Sequence, residues 1–309
     1  MPDFSVKHIV RTLLGTRAAL RSKRESWTQA GDRSKGVANF FSGLDGVTPS
    51  DADISPIFVL SAGWRSGSTL LQRLLCTGNN TLVWGEAYDR SNIVQHLVDT
   101  LMPFSENWPN PRYSAQSKTG VDPSSDWIAN ISPPQASILQ AYRALLIELY
   151  GRPAEALGAF RWGIKEVRYG KAEAQLLRCL FPNCKLIFIR RNLKDAYVSY
   201  RGFSNRMDWY ARWPYQPAFT PYQFGKHWQR LNSEFENCHE ELDALLIDYD
   251  DFISHPETID KLELYIEDNL DRSLLKKKVG GGSTRKSPEL SRLESFMLYS
   301  GKLHSRHLK

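Results

Sequence analysis

From Pro56 onward the chain alternates short apolar runs with apolar positions at helical spacing. Ile57, Phe58, Val59 and Leu60 form an unbroken run, a polar glycine-containing turn follows, and Leu70, Leu71, Leu74 and Leu75 then recur on one helical face. The pattern predicts strand, loop and helix, with the helix ending near Gly78. Leu82, Val83 and Trp84 predict a second short strand leading into Gly85 and Glu86, with another helix running to about Leu101. Residues 103–134, rich in Pro, Ser, Asn and Trp, predict a long irregular excursion of the type kept as a binding loop or lid. Helix is expected again over 135–150, strand over 160–167, helix over 172–180, buried strand over 185–189 and helix over 193–200. A last strand falls at 245–247 and a last helix at 256–269. Strands alternating with helices predict a three-layer α/β fold with a mainly parallel sheet.

Two stretches depart from this alternation. Residues 1–53 open with a basic amphipathic segment, Val6 to Ala19, and continue as a polar connector, which predicts an appendage ahead of one domain over 54–309. Between Gly202 and Tyr222, Phe203, Met207, Trp209, Tyr210, Trp213, Tyr215 and Phe219 crowd around Pro214, Pro217 and Pro221. Such a segment serves equally as an acceptor-pocket wall or as a surface loop anchored by its aromatics.

Composition narrows the setting without choosing a function. Hydrophobic residues make up 41% and charged residues 24% of the 309 positions, a globular balance that argues against wholesale disorder. The formal charge of +6 suits a polyanion, whether nucleotide, nucleic acid, acidic glycan or membrane surface. Cys76, Cys179, Cys184 and Cys238 include no C-x-x-C pair and are too few for a disulfide scaffold. No apolar run approaches the roughly 18 residues of a membrane span, and Arg11, Arg17, Arg21, Lys23 and Arg24 interrupt any signal-peptide core. The expected setting is cytoplasmic, with peripheral attachment at a membrane surface as the alternative.

The chemistry concentrates in two loops. Arg65-Ser66-Gly67-Ser68-Thr69 sits between the first strand and its helix, where backbone N–H groups and the helix dipole create an anion site. It is not a Walker A loop, because Gly63 and Gly67 are one residue too close and no Lys follows. At the end of the 185–189 strand, Arg191-Asn192-Leu193-Lys194-Asp195-Ala196-Tyr197-Val198-Ser199 sets an Arg and a hydroxyl eight positions apart, a spacing able to clamp one phosphate.

Together these loops resemble the PAPS-dependent sulfotransferase family, whose 5'-phosphosulfate loop reads [KR]-x-G-[ST]-[ST] and whose 3'-phosphate loop reads R-N-P-K-D-x-x-x-S. Leu193 replaces the proline of the second motif. The resemblance implies a P-loop-like nucleotide-binding core, with Arg65, Ser66, Gly67, Ser68, Thr69, Arg191 and Ser199 on the donor nucleotide and no metal. The late segment around Gly280-Gly281-Gly282 loosely resembles the family's R-K-G-x-x-G, which would add Arg285. Gly85-Glu86-Ala87-Tyr88-Asp89-Arg90 resembles the G-E-x-x-x-R of tyrosylprotein and related glycan enzymes, which implies Glu86 as general base. Trp162-Gly163-Ile164-Lys165-Glu166-Val167 resembles their K-[DE]-P segment and implies Lys165 at the transferred group. Arg65, Lys165 and Glu86 are thus the expected catalytic set. The implied reaction carries a sulfuryl group to an acceptor hydroxyl, glycan or lipid-linked in preference to peptidyl tyrosine, and leaves 3'-phosphoadenosine 5'-phosphate. His96 and His227 are expected as core or surface histidines. Nucleic acid is not an expected partner. The rivals are a small-molecule kinase, disfavoured by the missing Walker Lys, and a non-catalytic binder of acidic glycan or nucleic acid, which explains neither loop.

Overall fold

A computed structural model describes residues 30–44, 54–86, 92–105, 120–126, 128–204, 218, 220–276 and 289–306. Five strands, β1 (Ile57–Ser61), β2 (Thr81–Trp84), β3 (Arg161–Glu166), β4 (Lys185–Arg190) and β5 (Ala244–Asp248), pair in the order β2-β3-β1-β4-β5. Every pairing is parallel. The strand pattern read from the apolar runs is therefore present, and the topology adds what the runs could not specify. β3 inserts between β1 and β2, and the chain then crosses β1 to reach β4. The direction of winding thus changes at β1, the place where ligands bind in open α/β sheets.

Side chains alternate across the central strands and feed two cores. Ile57, Val59, Ile187 and Ile189 pack with Leu71, Leu74 and Leu75 of α2 (Ser68–Leu75) and with Ile259, Leu262 and Ile266 of α10 (Pro256–Ile266). Phe58, Leu60, Leu186 and Phe188 point the other way. They meet α1 (Ala30–Ser42), α3 (Ile93–Leu101), α4 (Gln135–Leu146), α6 (Lys171–Leu180) and α8 (Pro221–Cys238). Both faces of the sheet are covered, which completes the three-layer α/β arrangement and accounts for strands that are apolar throughout. The remaining α-helices among the described residues are α5 (Arg152–Ala156), α7 (Leu193–Ser204), α9 (Tyr249–Ser254) and α11 (Arg292–Arg306).

Several elements differ from the periodicity reading. α1 falls in the stretch expected as connector, yet Val37 and Phe40 are buried, and Arg33 pairs with Asp99 at 2.7 Å and Glu173 at 2.6 Å. The packed layers therefore include residues ahead of 54. The helix expected over 135–150 changes to a π-helical turn at Ile147–Gly151 before α5, where Pro153 lacks an N–H and crowds the carbonyl four residues back. α8 and α11 were not anticipated. They cross where Gly225 and Gly301 let the backbones approach: a Cβ on either would lie 2.1 Å or 2.0 Å from the carbonyl oxygen of Leu298 or Tyr222.

Candidate active site

The loop after β1 is shaped by backbone conformation before any side chain contributes. Gly63 (φ 92°), Arg65 (φ 65°) and Gly67 (φ 89°) all lie in the left-handed region. Alternation of this kind turns successive N–H groups into one concavity, the geometry of an anion nest. Glycine adopts it without strain, whereas at Arg65 it costs on the order of 1–2 kcal/mol. Gly67 is also sterically required, because a Cβ there would fall 2.0 Å from the Tyr249 ring. α2 begins at Ser68, and its first backbone bonds run from Leu70 and Leu71 to the Gly67 carbonyl. The N–H groups of Ser68 and Thr69 thus precede the helical ladder, at the positive end of the dipole.

The hydroxyls of this loop do different work. Ser66 is buried and its Oγ donates to the Gly63 carbonyl at 3.0 Å, which the Ser61 hydroxyl also reaches at 2.7 Å. Both brace the loop from inside. Ser68 is buried and Thr69 exposed at the helix start.

Fold topology joins this loop to the second motif. Arg191 follows the end of β4, the strand beside β1, and Ser199 lies on α7. Arg65 Nε donates to Ser199 Oγ at 3.0 Å, and Arg191 Nη1 donates to the Arg65 carbonyl at 3.3 Å. Residues 126 and 134 positions apart in sequence therefore meet at one spot. Tyr249, at the start of α9, closes the group: the Arg191 guanidinium lies 4.4 Å over its ring, and Gly67 abuts the ring edge. The motifs read from the sequence did not include Tyr249. The available signal was an aromatic directly after the last strand of an α/β sheet. Arg190, by contrast, turns to Asp248 at 2.7 Å and Glu236 at 2.5 Å and is an architectural residue.

The third group of residues lies past β2 and at the end of β3. Glu86 follows β2 as the apolar pattern predicts, and β3 intervenes between that strand and β1 with its anion loop. The intervening strand is what supplies its partner. Lys165, paired in register with Val59, forms a salt bridge with Glu86. Lys165 is 6% exposed and Glu86 21%, so the carboxylate is the more accessible member. Next to this pair, buried Glu166 accepts from Arg168 Nε at 2.8 Å and forms a salt bridge with its Nη2, while Arg168 Nη1 donates to Asn92 Oδ1 at 2.9 Å. Burial pushes the Glu166 carboxyl above its usual range, and the Arg168 bonds oppose that rise. Gln72 of α2 ties β2 to the helix of the anion loop by donating to the Val83 carbonyl at 2.8 Å.

Of the histidines, His96 is exposed on α3 with Nδ1 3.8 Å from Asp99, away from these groups. His227 is different. It is buried on α8 against Trp64, ring centroids 4.8 Å apart, and a Cβ on Gly63 would sit 3.8 Å from its Nε2. That nitrogen has no hydrogen-bond partner, and burial with nearby Arg230 drives the imidazole pKa well below its usual value. A neutral imidazole therefore packs behind the anion loop. Arg90 and Arg285 lie outside the described residues, as do 106–119 and 205–217.

The sequence profile described as Sulfotransferase family matches residues 56–262, more than half of the chain and all five strands. The chain belongs to the sulfotransferase family. As a family member it is a transferase of sulfuryl groups, and the strand-loop-helix and Arg-to-Ser elements described above all fall inside the matched region. No curated protein matches this sulfotransferase. Among solved structures it is similar to the sulfotransferase domain of the curacin biosynthetic pathway, with 20% identity, TM-score 0.39, and coverage of 74% of this chain and 78% of that one. The sulfotransferase domain of the Synechococcus PCC 7002 olefin synthase gives 16% identity, TM-score 0.41 and coverage of 84% and 98%. Sulfotransferase STF9 from Mycobacterium avium gives 14%, 0.34, and 80% and 73%.

Proposed function

We propose that this sulfotransferase uses 3'-phosphoadenosine 5'-phosphosulfate as donor and a glycan or lipid-linked hydroxyl as acceptor, with Glu86 as general base. The observation that carries the donor assignment is the meeting of the two phosphate motifs, Arg65 Nε on Ser199 Oγ at 3.0 Å with Arg191 Nη1 on the Arg65 carbonyl. The residues present fit the donor. The nest at 63–67 lacks side-chain bulk at two glycines, and Arg191 Nε is buried without a partner. The donor supplies a sulfuryl group on a phosphate leaving group.

In this reading the N–H groups of the nest and of Ser68 and Thr69 hold the 5' end, and Arg65 neutralises the oxygens on which charge develops. Arg191 and Ser199 hold the 3'-phosphate by charge-assisted bonds, with Arg285 as a further contact. Ser66 belongs to the loop's internal bracing and acts through its shape. A Glu86 carboxylate oxygen would take the proton of the acceptor hydroxyl while the hydroxyl oxygen bonds to sulfur, and the bond from sulfur to the bridging phosphate oxygen would break with its electron pair leaving on the 5'-phosphate. Lys165, alongside, pairs with Glu86 in the resting protein and offers its side chain to the transferred group. Sulfate transfer from radiolabelled donor, screened against glycan, lipid, phenol and peptide acceptors in EDTA, tests the whole. Transfer that requires a divalent metal, or ATP competing as well as the bisphosphate product, would discard the donor. A peptide as the best acceptor would discard the acceptor class.

A further inference from the structure

The Arg191–Ser199 motif departs from the family pattern at Leu193, where the pattern has proline. A proline at that place restrains the chain locally. α7 begins at Leu193, and proline in the first position of a helix fixes its own φ at the helical value while holding the residue before it in extended backbone. Leucine imposes neither restraint. Asn192 still caps the helix, since its Oδ1 accepts from the Lys194 N–H at 2.9 Å and its carbonyl from the Ala196 N–H at 2.9 Å. Arg191 lies between this cap and the end of β4, and its carbonyl accepts from Nε1 of Trp228 on α8 at 2.9 Å. A contact from a distant helix thus holds the peptide that a proline would restrain from within the turn.

Trp228 is itself fixed. It is half-buried against the cluster that contains Leu193, Trp64 and Phe224, its carbonyl accepts from Asn232 Nδ2 at 2.7 Å, and Lys302 Nζ of α11 lies 5.1 Å over its ring. Beside it the turn borders a cleft of about 210 Å³ lined by Arg191, Asn192, Leu193, Trp228, Tyr299 and Lys302. Packing from that side therefore does not stand in for the bond. What the turn aims is the Arg191 side chain, whose Nη1 reaches the Arg65 carbonyl at 3.3 Å, whose guanidinium lies 4.4 Å over the Tyr249 ring and whose Nε is buried without a partner. We infer that Trp228 is a positioning residue, which supplies the restraint of the missing proline and so fixes Arg191 for the 3'-phosphate of the donor. The inference rests on the donor reading above.

Titration calorimetry of the full chain with 3'-phosphoadenosine 5'-phosphate and with adenosine 5'-phosphate isolates the contribution of the 3'-phosphate. Trp228→Phe keeps a ring and removes the N–H, and it should weaken the bisphosphate by ~10-fold and adenosine 5'-phosphate by less than about twofold. Leu193→Pro alone should bind both nucleotides like the unaltered chain. Added to Trp228→Phe, it should recover most of the lost bisphosphate affinity, a rescue that a merely structural tryptophan does not allow. An unaltered chain that binds both nucleotides alike overturns the donor reading and this inference with it. Where the bisphosphate is preferred, the inference alone is overturned by each of four results: full preference kept in Trp228→Phe, equal weakening of both nucleotides in that variant, loss of binding by Leu193→Pro, or no recovery in the double variant.

Discussion

Replacing Glu86 with glutamine separates chemistry from architecture. The substitution preserves shape but removes the charge that faces Lys165, which is only 6% exposed. Breaking a fully buried pair costs about 3–5 kcal/mol because the remaining charge is left uncompensated. Glu86 is 21% exposed, so water screens part of that, and a loss of about 2 kcal/mol is expected. For a domain of this size that lowers Tm by roughly 3–4 °C. Turnover should fall by about 10²-fold or more, since the amide cannot take the acceptor proton, while bisphosphate affinity stays within about twofold because the proposed phosphate contacts are made by other residues. The second substitution Lys165→Met should then restore most of the lost stability, as no unpaired charge remains, without restoring kcat. Differential scanning calorimetry, calorimetric titration with 3'-phosphoadenosine 5'-phosphate and initial rates measure the three quantities. A Glu86→Gln enzyme with normal kcat would refute the assignment of the base. Unchanged stability in that enzyme would refute the energetic reasoning about the ion pair.

Three further outcomes follow from the site. Arg191→Ala should weaken bisphosphate binding by about 1.5–3 kcal/mol, roughly 10- to 150-fold in Kd by titration calorimetry, with little change in Tm; full affinity beside a large fall in Tm would make Arg191 structural instead. Gly67→Ala should destabilise by roughly 2 kcal/mol or more and abolish tight nucleotide binding, since it combines a left-handed φ with a Cβ 2.0 Å from the Tyr249 ring, and urea melts with ligand titration check both. His227 is held neutral in the folded chain, whereas the unfolded chain protonates it below about pH 6.5. Stability should therefore be unaffected by this residue at higher pH and decline by up to about 1.4 kcal/mol per unit as pH falls through and below 6.5. His227→Gln should flatten that decline in urea melts at stepped pH, and an unaltered slope would show the imidazole to be protonated within the fold.

Much of this molecule was written in local pattern. Apolar runs and their spacing located the five strands and most helices, because a residue's neighbours along the chain decide which face it presents. The Arg65–Thr69 and Arg191–Ser199 segments stand out in the same way, since the anion site proposed there needs glycine, hydroxyl and arginine at close intervals. α8 could have been found from its capping box, in which Thr220 Oγ1 accepts from the Gln223 N–H at 3.1 Å with Pro221 in the first turn. Other features depend on contacts between distant segments and have no local signature. The insertion of β3 between β1 and β2 is a choice of strand order, and that choice sets Lys165 against Glu86. The left-handed Arg65 is imposed on a residue that would avoid it alone, within a loop that Arg191 and Ser199 hold from β4 and α7. Burial of His227 behind Gly63 and the seating of Tyr249 against Gly67 arise only when α8 and α9 close on the loop. Sequence determined which groups could bind phosphate, because that depends on residue chemistry and short spacing. Tertiary structure alone decided which of them share one crevice, because strand order and long-range packing are settled by the energy of the whole core.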